Sequence, residues 1–150
     1  MKNYKQAKAI SAGKIYNRLK ERGMCITCAE LPAMEGYVQC NQCREWQKVR
    51  QKLNRDDLKR EVYAHYGNGK CQCCGETEYT FLTMDHINND GAQHRRELKY
   101  HSATGHGFYV WLRKNNFPEG FQVLCQNCNV GKWRNGGVCP HKSKQVLYAN

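Results

Sequence analysis

Residues 83–95 read TMDHINNDGAQHR, and the fold depends on how this run is understood. It packs an Asp-His pair, two asparagines, an aspartate, a glycine and a second histidine behind a strand-like segment, YTFLTM at 79–84. Three readings compete. As a calcium loop, Gly91 takes the sixth position, with Asn88 at the third, Asp90 at the fifth and Glu97 at the twelfth. The first position then falls on His86, and a neutral imidazole is a poor ligand for a hard cation. The segment before it also reads as strand rather than helix, so calcium is set aside. As a hairpin turn, Asn89-Asp90-Gly91 is well explained, but Asp85 and His86 are not. Adjacent side chains point to opposite faces of a strand, whereas at a strand end both can approach one site from different sides. Asp85 and His86 therefore read as part of a site.

Cysteines bracket this run. Cys71 and Cys74 form one C-x2-C pair and Cys125 and Cys128 another, with 50 residues between them. The first knuckle, CQCCG at 71–75, also contains Cys73; the pair 71 and 74 matches the spacing of the others and puts Gly75 in the following turn. A metal closing this set ties the strand of Asp85-His86 to the segment opened by Cys128-Asn129. Upstream, Cys25, Cys28, Cys40 and Cys43 form C-x2-C-x11-C-x2-C. Closed sites with four cysteine ligands are structural zinc sites, and short segments with so little to bury need such support. Two structural zinc ions are expected. Cys139-Pro140-His141 is read as structural and left outside the metal sites.

C-x2-C pairs of this kind fit a reducing, cytoplasmic setting better than a disulfide framework. The basic start lacks the apolar core of a secretory signal, and no run approaches the roughly 18 apolar residues of a membrane span, so no membrane is expected. The formal charge is +11 and uneven: residues 1–60 carry 14 basic and 6 acidic side chains, residues 61–150 carry 10 and 7. A basic N-terminal half suggests a polyanion-binding arm, with nucleic acid as the polyanion.

Residues 2–22 read as a basic helix, with Ile10, Ile15 and Leu19 toward one face and Gly23 as its stop. In REWQKVRQKLNRDDLKREVYAHYG (44–67), Trp46, Val49 and Leu53 and then Leu58, Val62 and Tyr66 fall at helical spacing. Asp56 is read as an N-cap between two helices. Gly67-Asn68-Gly69 marks a boundary, giving a basic zinc-binding module at 1–66 and a second domain at 67–150. FQVL (121–124) reads as a second strand, and GFYVWLRKNNFPEG (107–120) as an amphipathic piece broken at Pro118.

Taken together and in order, CQCCG, LTMDHINNDGAQHR and FPEGFQVLCQNCNVGK resemble the HNH nucleases of the zinc-clamped, phage- and intron-associated kind, over residues 61–141. The resemblance implies a small, zinc-stabilised α+β protein with a ββα-metal core, here joined to an N-terminal four-cysteine module and basic helices. It implies His86 as general base, Asp85 as a ligand of a catalytic Mg²⁺ or Mn²⁺, and Asn129 as the second ligand. Asn129 stands where the family has its last histidine, making an HNN-like variant. The family's middle asparagine falls on Gly120, with Asn115 and Asn116 nearby. The residue types suit the reaction: a neutral imidazole can accept a proton from water, and carboxylate and amide oxygens suit Mg²⁺. Arg95 and Arg96 read as phosphate clamps. Lys132, one helical turn past Asn129, reads as a further backbone contact. DNA is the expected partner, although charge alone does not separate DNA from RNA, and the oligomeric state stays open. The main rival is a non-catalytic zinc-finger protein that binds nucleic acid and keeps an HNH-like scaffold.

Overall fold

The computed structural model describes residues 2–98 and 105–142, with side chains from residue 12 onward; Ile10 of the expected helix face lies outside the described side chains. The chain divides into two compact units, Met1–Leu53 and Asn54–Asn150.

The first unit opens with helix α1, Lys2–Glu21. Gly23 stops it as expected, in the left-handed conformation (φ +63°). Gly23 N–H donates to the Lys20 carbonyl and Met24 N–H to that of Leu19, a Schellman cap. Among the described residues, the buried hydrophobic side chains of this unit are Cys25 and Cys40. Trp46, Val49 and Leu53 are 57, 57 and 56% exposed, so the expected apolar stripe is not a core face. Helical spacing marks a stripe, but this unit gathers sulfur atoms at its centre rather than a core broad enough to receive it.

Helix α2 runs unbroken from Asn41 to Gly67, and Asp56 caps nothing. No glycine or proline interrupts residues 41–66, and a mid-helix aspartate costs only about 0.7 kcal/mol. The unit boundary lies within α2 rather than at Gly67–Gly69. Leu58, Val62 and Tyr63, at 3, 0 and 1% exposure, belong to the core of the second unit.

That core is built on two antiparallel strands, β1 (Leu82–His86) and β2 (Phe121–Cys125), which pair Asp85 with Gln122 and His86 with Phe121. β1 starts three residues later than the sequence suggests, because Tyr79–Phe81 form a 3₁₀ turn capped by the Glu78 carboxylate. The tight hairpin does not form. Asp90 instead stands at the N-cap position of a short helix α3, Gly91–Glu97, and helix α4, Gly105–Lys114, follows before β2. Asp-Gly serves a turn and a helix entry equally well. What decides is the polar run after it, which has no apolar alternation to make a strand. Helix α5, Gln126–Arg134, starts directly from β2.

Tyr63 joins the layers: its hydroxyl donates to the Leu82 carbonyl at 2.6 Å and lies 3.2 Å from that of Tyr109. Gly67 lets α2 touch the sheet, since a Cβ there would stand 2.7 Å from that of Val123. Among the described residues, no helix is long and apolar enough to cross a membrane.

Candidate functional site

β2 leads straight into α5 and pairs along β1, which brings the ends of three elements together. A cleft of about 280 Å³ is lined by Asp85 and His86 from β1, Arg95 from α3, and Asn129 and Trp133 from α5. Asn129 is half-buried and lies inside α5; the N-cap is Cys125. Arg95 is exposed at the rim, Arg96 is exposed on α3 and does not line the cleft, and Trp133 is 77% exposed.

Asp85 is buried, and its Oδ2 accepts from Lys132 Nζ at 2.6 Å and Gln122 Nε2 at 2.7 Å. Both bonds fall on one oxygen, which leaves Oδ1 for another partner. Lys132 also donates to the carbonyls of His86 (2.6 Å) and Ile87 (3.1 Å). At 5% exposure it does not face outward to meet a phosphate. The spacing from Asn129 is right, but Lys132 turns inward because an acidic side chain and two strand-end carbonyls converge on it. Replacing Lys132 by methionine leaves that carboxylate buried without its cation. Unfolding in urea at fixed zinc should then show a loss of about 3–5 kcal/mol. A loss below about 1 kcal/mol would mean that water already solvates Asp85.

His86 Nε2 lies 2.9 Å from His94 Nδ1. Its ring stacks on Phe108 (5.8 Å, 18°) and meets Phe121 edge-on at 4.8 Å. Burial in this aromatic nest, followed by the neighbouring His94, holds its pKa below the ordinary histidine value, so it is the neutral base at neutral pH. The other ring nitrogen, Nδ1, faces Gly91, where a Cβ would stand only 2.9 Å away. Gly91 is therefore required by close approach to His86, not by a hairpin. Of the candidates for the middle position, Gly120 braces the loop after His86 through its carbonyl, which accepts from Ile87 N–H at 2.9 Å. Asn115 spends its amide on the Trp111 carbonyl, and Asn116 sits in a left-handed turn. Sequence reasoning missed His94 and Gln122 as partners. The one usable signal was the strand pairing that sets Gln122 opposite Asp85.

Among the described residues, three groups of side chains can hold a metal ion, each with ligand atoms within 4.8 Å of one another: Cys25, Cys28, Cys40 and Cys43; Cys71, Cys74, Cys125 and Cys128; and Cys73, Cys128, Cys139 and His141. The first two are the expected sets, and the choice of Cys71 and Cys74 agrees with the geometry. The first sulfur of every knuckle accepts a backbone N–H from two or three residues on: Thr27 to Cys25, Cys43 to Cys40, Cys73 and Cys74 to Cys71, and Cys128 to Cys125, at 3.4–3.5 Å. Burial alone raises the Cys25 and Cys71 thiols, yet the backbone N–H groups of Cys28, Cys40 and Thr27 bring Cys25 down to about 6, and those of Cys74, Cys125 and Cys73 bring Cys71 down to about 7, toward the thiolate a metal needs. Sulfur separations of 3.9 Å (Cys28 to Cys40) and 3.7 Å (Cys74 to Cys125) match the edge of about 3.8 Å for a zinc–thiolate tetrahedron. The donor sets fit zinc.

No family model, curated protein or solved structure matches the chain.

Proposed function

We propose that the protein is a metal-dependent HNH-type endonuclease, in an HNN-like form, that hydrolyses DNA phosphodiester bonds. The observation that carries this reading is the convergence of Asp85, His86, Arg95 and Asn129 on one cleft at the meeting of β1, β2 and α5. In this reading β1, β2 and α5 are the ββα element, and the two four-cysteine groups hold structural zinc.

The fit to a catalytic cation rests on Asp85 Oδ1 and the Asn129 amide oxygen, hard donors in a cleft open to solvent. A bound Mg²⁺ or Mn²⁺ supplies charge stabilisation for the phosphate and the leaving oxygen. The 2.9 Å contact between His86 Nε2 and His94 Nδ1 allows either nitrogen to donate, and in this reading His86 donates and is the tautomer protonated on Nε2. That leaves the Nδ1 lone pair as the base that takes the proton of the attacking water. Arg95 at the rim fixes a phosphate, and exposed Trp133 offers a flat apolar surface to a sugar or base. The excess of basic over acidic side chains in residues 1–60 supplies sequence-independent affinity for the duplex.

The rival, a zinc protein that binds nucleic acid without cutting it, draws on one observation. The Lys132 ammonium, 2.6 Å from Asp85, offsets the charge that a catalytic cation would use. Incubation with supercoiled plasmid separates the two. Nicked or linear product with Mg²⁺ or Mn²⁺, abolished by EDTA, is expected; intact plasmid with either ion favours the rival. His94→Ala should lower turnover by about 10- to 100-fold with little change in DNA affinity, because the partner that orients the base is lost. Equal rates would show that His86 needs no such partner.

A further inference from the structure

Cys128 belongs to two ligand groups at once, and the second has no place among the sites described so far. Cys73 comes from the first knuckle, where its neighbours Cys71 and Cys74 serve the four-cysteine group. Cys139 and His141 come from the stretch after α5. Cys128 Sγ is 3.3 Å from His141 Nδ1, and Cys139 Sγ is 3.7 Å from the same nitrogen. Zinc bonded to a thiolate at about 2.3 Å and an imidazole at about 2.0 Å sets a sulfur–nitrogen edge of about 3.5 Å, which these distances straddle. Cys73, Cys128 and Cys139 are sheltered while His141 is exposed, so the group opens to solvent on its histidine side.

We propose that both groups are filled together. Two zinc ions then form a binuclear cluster in the second unit, with the Cys128 thiolate as bridge. One ion takes Cys71, Cys74, Cys125 and Cys128; the other takes Cys73, Cys128, Cys139 and His141. A thiolate sulfur has lone pairs for two ions, and it is the one ligand the groups share. Charge favours the arrangement. The second ion adds two positive charges, the Cys73 and Cys139 thiolates add two negative ones, and His141 binds as neutral imidazole, so the cluster carries no more net charge than the four-cysteine site alone. All ten cysteines of the chain then have a ligand role, four in the first unit and six in the second. The second ion also fastens the segment after α5 to the knuckle before β1. Pro140 already packs there against Gly131, where a Cβ would stand 3.1 Å from its ring.

This inference rests on the zinc reading of the four-cysteine groups and not on nuclease activity. Full-length protein is expressed with zinc, freed of loose metal and analysed for zinc per chain. Three are expected, falling to two in His141→Ala combined with Cys139→Ala. Substituting cadmium-113 gives three resonances, two of them split by coupling through the shared sulfur. Two zinc ions in the wild type, unchanged in the double variant, would overturn the second ion and leave the four-cysteine groups standing. One or none would overturn the four-cysteine reading as well. Three uncoupled cadmium resonances would overturn the bridge. The wild-type count and spectrum decide the matter even if the double variant folds poorly.

Discussion

His86→Ala should lower plasmid cleavage by about 10² to 10⁴-fold, the usual contribution of a positioned general base. DNA affinity and zinc content should stay as they are, because the imidazole is uncharged at neutral pH and belongs to none of the cysteine groups. It is a cleaner test than Asp85→Ala, which would strand the Lys132 ammonium in a buried position and confuse a loss of chemistry with a loss of fold. Asn129→Ala should also cut more slowly, with partial recovery in excess Mg²⁺ or Mn²⁺, since a neutral ligand contributes little to cation affinity. No metal concentration should restore His86→Ala. Cleavage by His86→Ala at the wild-type rate would remove the base from the mechanism.

The second large effect follows from removing zinc. Structural zinc sites bind with apparent free energies of about 10–16 kcal/mol, as large as the whole stability of an ordinary domain at about 5–15 kcal/mol. The second unit sets four cysteines within its main hydrophobic cluster, beside Tyr63, Leu82, Val123 and Leu124. Stripping its metal should therefore abolish cooperative melting of the sheet, and Cys125→Ser should reproduce this at any zinc concentration short of large excess. Thermal melting followed by near-UV circular dichroism, with and without chelator, reads the effect. A melting curve unmoved by complete removal of zinc would show that Tyr63 and its aliphatic neighbours hold the unit by themselves.

Much of this architecture could be read from spacing. The C-x2-C pairs, the glycine stop after α1 and the strand FQVL each follow from local chemistry, and each is present; the amphipathic piece before Pro118 proves to be most of helix α4 and the turn after it. Failures came where one motif serves two structures. Asp90-Gly91 enters a helix instead of turning a hairpin, and Asp56 sits in a continuous helix instead of capping a new one. Lys132 marks a second kind of limit: a one-turn offset from Asn129 places it correctly on α5, but only the strand pairing shows that Asp85 lies on its inward side. Likewise, Cys73, Cys139 and His141 carry no regular spacing. Their grouping depends on how the segment after α5 folds back, which no local pattern encodes.

The pairing of β1 with β2 across residues 87–120 has a kinetic consequence. Ribosomes release chain progressively, and α1, the first part of α2 and the first cysteine group can order as soon as they emerge. The sheet cannot. β1 must wait, with Leu82 uncovered, until its partner strand has been made, and long-range pairings of this sort fold slowly and expose edges meanwhile. Asp85 and His86 are synthesised early, whereas Asn129 and Lys132 arrive some forty positions later, at the end of the same closure. A nascent chain thus carries the proposed base long before it carries a cleft. The interval between the two is a window in which a chaperone would find this surface.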